Sequence, residues 1–356
     1  MEIKNYKGKI VTKDKVFDGY VSVENGIITS VSEKAPQGQI IDCGDNYITP
    51  GLIDIHCHSS LEYSARENPS AVADFHLSHG VTGLLVTFYK DTPHDKLLKS
   101  LEDVKVAMKS HFNLLGAHLE GPYINGSLGY DDGRKLNILP EKDKYEQYAK
   151  SGVIKQWTFS PELDGVIPVI KYAKQMGIVP AIGHSEASYS QVKSAYDNGA
   201  KIVTHIFDAT GITDNAEFKG TKDLSFDNAV MLMDDMYYEV ICDSEWVHVR
   251  KEMLDLLIKT VGIDRIVAIT DLDICDSVDD GRDIAVANGQ LSGTKLTLDK
   301  VVYNLFNAGY RVQDIFKMTS INPARALNIL DRGEIEVGKR ADLCLFNEQM
   351  KFVKLL

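Results

Sequence analysis

Cysteine is scarce in this 356-residue chain and odd in number. Cys43, Cys57, Cys242, Cys275 and Cys344 show no Cys-x-x-Cys spacing, which speaks against a disulfide framework or a structural zinc knuckle. Long apolar runs are missing as well. No segment approaches the ~20 apolar residues that span a bilayer, and Met1 to Lys9 holds no stretch of signal length, so a cytoplasmic protein without a membrane partner is expected. A basic surplus is also lacking. The formal net charge is -12, with acidic residues spread along the chain, and this argues against nucleic acid or an anionic membrane as a partner. Internal repeats and low-complexity segments are absent.

What the chain does contain is 44% hydrophobic and 25% charged residues, the composition of an ordinary globular protein. Its length suits a (β/α)₈ barrel with a smaller module attached. β-rich runs at 53–58, 81–88, 112–120, 153–159, 177–183, 201–207, 237–243 and 265–270 alternate with helical stretches such as Asp95 to Lys109 and Gln191 to Asn198. That alternation predicts an α/β fold, a (β/α)₈ TIM barrel over residues 50–332, with its active site at the carboxyl ends of the strands. The flanks read differently. Gly8 to Val11 and Gly19 to Val23 are short strand patterns followed by the turn Asn25-Gly26, and Gly333 to Gly338 and Asp342 to Phe346 look similar. Neither end can form a core alone, so residues 1–49 plus 333–356 are expected to build one small β-sandwich domain.

The polar residues at the strand ends carry the chemistry. His56 and His58 close the run Ile53 to His58, and residues two apart on a strand share a face, so both imidazoles can reach one ion. Cys57 then faces the other way, as a small buried apolar group. A lone His-x-His pair is weak evidence. Yet Glu120, His184, His205 and Asp271 each end another β-rich run, and scattered residues would have no reason to fall there. The six offer more donors than one tetrahedral ion needs, so two divalent ions are expected, with Glu120 bridging them. Imidazole and carboxylate suit Zn²⁺, with Fe²⁺, Mn²⁺ or Co²⁺ as alternatives. Such ions activate a shared water, and the Asp271 carboxylate can take its proton and deliver it to a leaving amine. His118, next to Leu119 in an apolar run, reads as a residue beneath the ions, and His76, His79, His94 and His111 read as helix or loop residues.

Pro50 to His58 resembles the opening strand of the amidohydrolase superfamily. Gly116 to Asn125, Gly183-His184-Ser185, Thr204 to Phe207, Asn322 to Arg325 and Gly338 to Leu343 resemble the N-acetylglucosamine-6-phosphate deacetylase family within it. The resemblance spans essentially the whole chain. It implies hydrolysis of an N-acetyl group from an amino sugar phosphate, Glu120, His184 and His205 as core metal ligands, and Asp271 as the acid/base. It also points to Asp208, Ala209, Trp246 and His248 as substrate contacts, and a small-molecule substrate and a homodimer complete the expectation.

The pocket departs from that pattern. The family's Lys-Gly-x-His stretch is replaced by Ser127 to Arg134, its Asn by Asp208, and its phosphate-binding Arg has no counterpart near Thr213 to Gly220. Trp246 stands where a histidine belongs, with His248 two residues on. Lys219, Lys222 or Arg134 could supply the missing charge; without it, a neutral amino sugar or another N-acyl or cyclic amide is the expected substrate. A non-catalytic scaffold is the reading from another class.

Overall fold

The computed structural model describes residues 3–129, 137–211, 218, 220–221, 223–273, 281–287 and 289–356. Strands β1 (Ile3–Val11), β2 (Val16–Glu24), β3 (Ile27–Ser32) and β4 (Ile40–Pro50) come first. The barrel strands follow: β5 (Leu52–Cys57), β6 (Val81–Phe88), β7 (Leu114–Glu120), β8 (Ile154–Phe159), β9 (Val179–Ile182), β10 (Ile202–Val203), β11 (Tyr237–Ile241) and β12 (Ile266–Ile269). A hairpin of β13 (Ile284–Ala287) and β14 (Gln290–Thr294) precedes β15 (Leu343–Phe346) and β16 (Phe352–Leu355).

β5 to β12 form an eight-stranded parallel sheet in chain order. The sheet closes through the backbone: Asp271 N–H donates to the His56 carbonyl at 3.0 Å, and His58 N–H donates to the Leu272 carbonyl at 2.9 Å. Thr270 Oγ1 adds a buried bond of 2.6 Å to Asp54 Oδ2. Closure therefore brings the end of the eighth barrel strand against the end of the first, and Asp271 against the histidine pair. Inside, Ile53, Ile55, Leu85, Ile202, Ile241, Val267 and Ile269 pack with Ala324, Ala326 and Leu327, so the segment beginning at Asn322 stoppers the amino-terminal end. The carboxyl end is left for polar side chains.

The terminal segments meet in one hydrogen-bonded sheet of order β16-β15-β4-β1-β2-β3, with a core of its own that includes Tyr6, Ile10, Val21, Ile28, Ile48, Leu343 and Leu345. Two of its strands, β4 and β16, have no clear alternating pattern in the sequence. The run Gly333 to Gly338, expected as a strand, is not one. Glu334 is buried there, with Lys339 at 2.6 Å, Arg325 at 3.1 Å and Lys13 at 3.6 Å reaching it from the surface, and Gly333 has φ +84°, so ion pairs to one buried carboxylate and a left-handed turn replace ladder pairing.

Candidate metal centre

The six strand-end residues converge. His184 Nε2 and His205 Nε2 lie 2.8 and 3.0 Å from Glu120 Oε1, and His58 Nε2 lies 3.3 Å from Glu120 Oε2. Asp271 Oδ1 sits 3.2 Å from His58 Nε2 and 3.3 Å from His56 Nε2, while Glu120 Oε1 is 3.5 Å from that same His56 nitrogen. Glu120 thus stands between all four imidazoles, with Asp271 covering the His56–His58 side.

Backbone conformation aims these groups. His184, His205 and Asp271 have φ of +46°, +23° and +46°, left-handed values that are uncommon for side chains larger than glycine. Each chain segment turns sharply out of the barrel at its polar residue, and such strain persists only where the surroundings enforce it. Gly293 is part of that enforcement. A Cβ there would stand 2.7 Å from the Asp271 carbonyl oxygen, and its φ is +106°, so the β14 strand reaches Asp271 only with glycine at this position.

Burial resists any charge on His58 and His205, yet hydrogen bonds and charge from Asp271 and Glu120 at His58, and from Glu120 with the charge of Asp271 at His205, hold both rings up at about 9. The carboxyls respond in the opposite sense. Burial opposes ionisation of Asp271 and Glu120, but the neighbouring imidazoles outweigh it and keep both well below the usual carboxylate range. His56 Nε2 is buried without a hydrogen bond, although carboxylate oxygens lie 3.3 and 3.5 Å away. Two donors bound at ~2.1 Å to one tetrahedral ion stand roughly 3.4 Å apart, so these separations fit a divalent metal better than a hydrogen-bonded network. The triads His56–Glu120–His205 and His56–His58–Asp271 each bring three ligand atoms within 4.8 Å of one another.

The surroundings of the cluster hold a residue that sequence reasoning missed. Glu239, fully buried in the middle of β11, accepts at 3.0 Å from His56 Nδ1 and at 2.6 Å from Gln156 Nε2. It fixes which His56 nitrogen faces the centre. The visible signal was a lone carboxylate inside an apolar strand. His118 lies below the cluster, its two ring nitrogens 3.2 Å from Thr87 Oγ1 and 2.8 Å from Thr158 Oγ1, with no ring nitrogen left for an ion. Cys57 faces away from the centre and meets His76 Nε2 at 2.9 Å.

A cavity of about 410 Å³ opens above the cluster. Glu120, His58, His184, His205 and Asp271 form its floor, and Asp208 and Ala209 line one wall as the sequence suggests. Trp246 and His248 do not line it. His248 instead turns Nδ1 to Asp243 at 3.1 Å, because Asp243 also accepts from the backbone N–H groups of Glu245, Val247 and His248 and ties that loop back on itself. Arg134, Lys219 and Lys222 lie outside the described residues. Two cations that sequence reasoning did not single out, Arg66 and Lys90, do line the cavity.

The model of the amidohydrolase family matches residues 47–355. The chain belongs to that family. It is 27% identical over 381 residues to N-acetylglucosamine-6-phosphate deacetylase of Bacillus subtilis (strain 168), covering 97% of this chain and 93% of the relative. The solved structure of N-acetylglucosamine-6-phosphate deacetylase from Thermotoga maritima aligns with a TM-score of 0.83 at 27% identity, over 100% of this chain and 98% of that one. The Mycobacterium smegmatis structure of the same description gives 0.87 at 22% identity, with the same coverage, a likeness of fold. This chain is therefore an amidohydrolase, a hydrolase of C–N bonds other than peptide bonds.

Proposed function

We propose that the protein removes the acyl group, acetyl in the first instance, from an N-acylated amino sugar or its 6-phosphate. The observation that carries this reading is the position of the Asp271 carboxylate, which faces the cavity while lying 3.2–3.3 Å from the His56 and His58 nitrogens. The names of the relatives support the sugar, since both the Bacillus and the Thermotoga proteins are N-acetylglucosamine-6-phosphate deacetylases.

In this reading His56, His58, Glu120, His184, His205 and Asp271 would hold two divalent ions, zinc in the first instance. When bound, such ions supply Lewis acidity at the amide carbonyl and lower the pKa of water. Asp271 takes the proton of the attacking water as its oxygen adds to the carbonyl carbon, then passes that proton to the nitrogen as the C–N bond breaks. Carboxylate and free amine leave. Glu239 keeps the His56 Nδ1 proton on its own side throughout. Residues 50–332 would carry this chemistry, with 1–49 and 333–356 as the attached β domain of a cytoplasmic homodimer. Among the described residues no helix is long and apolar enough to cross a membrane.

The test is a release assay for free amine on N-acetylated amino sugars, their 6-phosphates, other N-acyl compounds and cyclic amides, with metal-loaded protein. Turnover of the sugars is expected, and Asp271→Asn should lower kcat by about 10² or more while retaining shape. Near-normal kcat in that variant would remove Asp271 from the proton path.

A further inference from the structure

The expectation of a neutral substrate rested on a missing arginine, on Asp208 and on Trp246; the folded chain keeps Asp208 at the cavity, leaves Trp246 off its lining and brings two other cations to it. Arg66 lies in the loop after β5, the first barrel strand, and Lys90 two residues beyond β6, the second, and both line the cavity over the metal ligands. Their engagements are weak. The Arg66 guanidinium lies 5.7 Å from the centroid of the Tyr89 ring, and Lys90 Nζ makes one long contact of 3.5 Å, to the Gly126 carbonyl. Among the described residues neither cation has a carboxylate within salt-bridge distance, although Asp91, Asp208 and Asp273 line the same cavity.

Tyr89 makes this wall firm. Its ring stacks on His58 with centroids 3.9 Å apart and planes 10° from parallel, so the surface under Arg66 is continuous with the ligand cluster. Asp208 and Ala209 follow β10, the sixth barrel strand, four positions round the barrel from β6 and therefore across the mouth from Lys90. Asp208 stands on the sixth-strand side, and the guanidinium and ammonium on the first- and second-strand side, where Asp91 adjoins Lys90 and Asp273 follows β12 next to β5.

We infer that Arg66 and Lys90 form an anion subsite, which takes a phosphate monoester or carboxylate substituent of the substrate on the side of the cavity opposite Asp208. The inference rests on the amide-hydrolysis reading only for the word substrate. The charge comes from loops where the sequence pattern gave no reason to look, and it replaces the arginine absent after β10. Arg66 offers a planar fork suited to two anionic oxygens, and Lys90 a point charge beside it.

The experiment uses metal-loaded protein at low salt and compares wild type with Arg66→Ala, Lys90→Ala and the double variant. Calorimetric titration with glycerol, glycerol 3-phosphate and glycerate separates the phosphate arm from the carboxylate arm. Anion capture by the metal ions alone would be common to every variant. The double variant should bind at least one of the two anions tenfold or more weakly than wild type, Arg66→Lys should recover part of the loss, and glycerol should not discriminate. Equal anion affinity in wild type and the double variant would overturn the subsite. The ratio of kcat/KM for N-acetylglucosamine 6-phosphate over N-acetylglucosamine should fall in step with the binding loss. If neither sugar releases amine while the binding difference persists, the amide-hydrolysis reading fails and the subsite stands.

Discussion

A carboxylate with no exposed surface, such as Glu239, costs several kcal/mol to bury unless hydrogen bonds and opposite charge offset the loss of water. Its partners are the His56 ring, Gln156 and, at 3.4 Å, the His205 backbone N–H, and a divalent ion beyond His56 would complete that offset. Glu239→Gln keeps the size and can still bond His56, but it removes the charge. The expected outcome is a metal affinity lower by about 10- to 100-fold, read by competition with a chromogenic chelator. An unchanged affinity would make the Glu239–His56 bond incidental to metal holding. The contrast with the strand-end residues explains what the sequence could reveal at this scale. His56, His58, Glu120, His184, His205 and Asp271 were legible because each breaks an apolar run at its carboxyl end. Glu239 sits inside its strand, where only the closed barrel reveals that its side chain lies under His56.

Strands announce themselves when one chemistry runs unbroken, and the barrel strands, buried along almost their whole length, did so. β4, with Asp42, Gly44 and Asp45 in its exposed half, did not, and neither did the Arg66 and Lys90 loops, whose meaning depends on where the closed barrel puts them. The back of β5 supports a separate expectation. Cys57 on that face meets His76 of the helix Pro69–Ser78, and the same His76 Nε2 lies 3.0 Å from the Ser59 carbonyl. Burial is the main cause that lowers His76 to about 4, with the charge of His79 adding to it and the Ser59 carbonyl and Asp299 opposing. Below its ordinary value the unfolded chain binds a proton that the folded chain refuses, so this contribution is present above pH ~6.5 and is lost as pH falls towards 4. Between pH 7.5 and pH 5 the loss is about 2 kcal/mol. Urea unfolding of wild type and His76→Gln at both values isolates it, since other titrating groups are common to the two proteins. An equal acid loss in both would mean that the β5–helix contact does not hold His76 neutral.

Across the whole molecule, the ligands come from strands spaced around the full barrel, from β5 through β7, β9 and β10 to the segment after β12. An ion held by such a set binds the closed barrel and not the open chain, because the unfolded chain cannot gather them. Metal binding therefore adds to stability as RT ln(1 + [L]/Kd), about 2.7 kcal/mol when free metal stands at 100 times Kd. The formal net charge of -12 works in the same direction, since a chain rich in carboxylates draws divalent cations towards it. Chelator-treated protein is expected to melt several degrees lower than loaded protein, given that 1 kcal/mol moves Tm by roughly 2–4 °C in domains of 150–250 residues. Two ions per chain should return on reloading, counted by atomic emission on desalted protein. Glu120→Gln, which weakens the carboxylate shared by four imidazoles, should cut that count and erase most of the Tm difference. A Tm indifferent to chelation, with one ion or none retained after loading, would mean that the clustered strand-end residues close the barrel mouth through their own hydrogen bonds and do not hold a pair of metals.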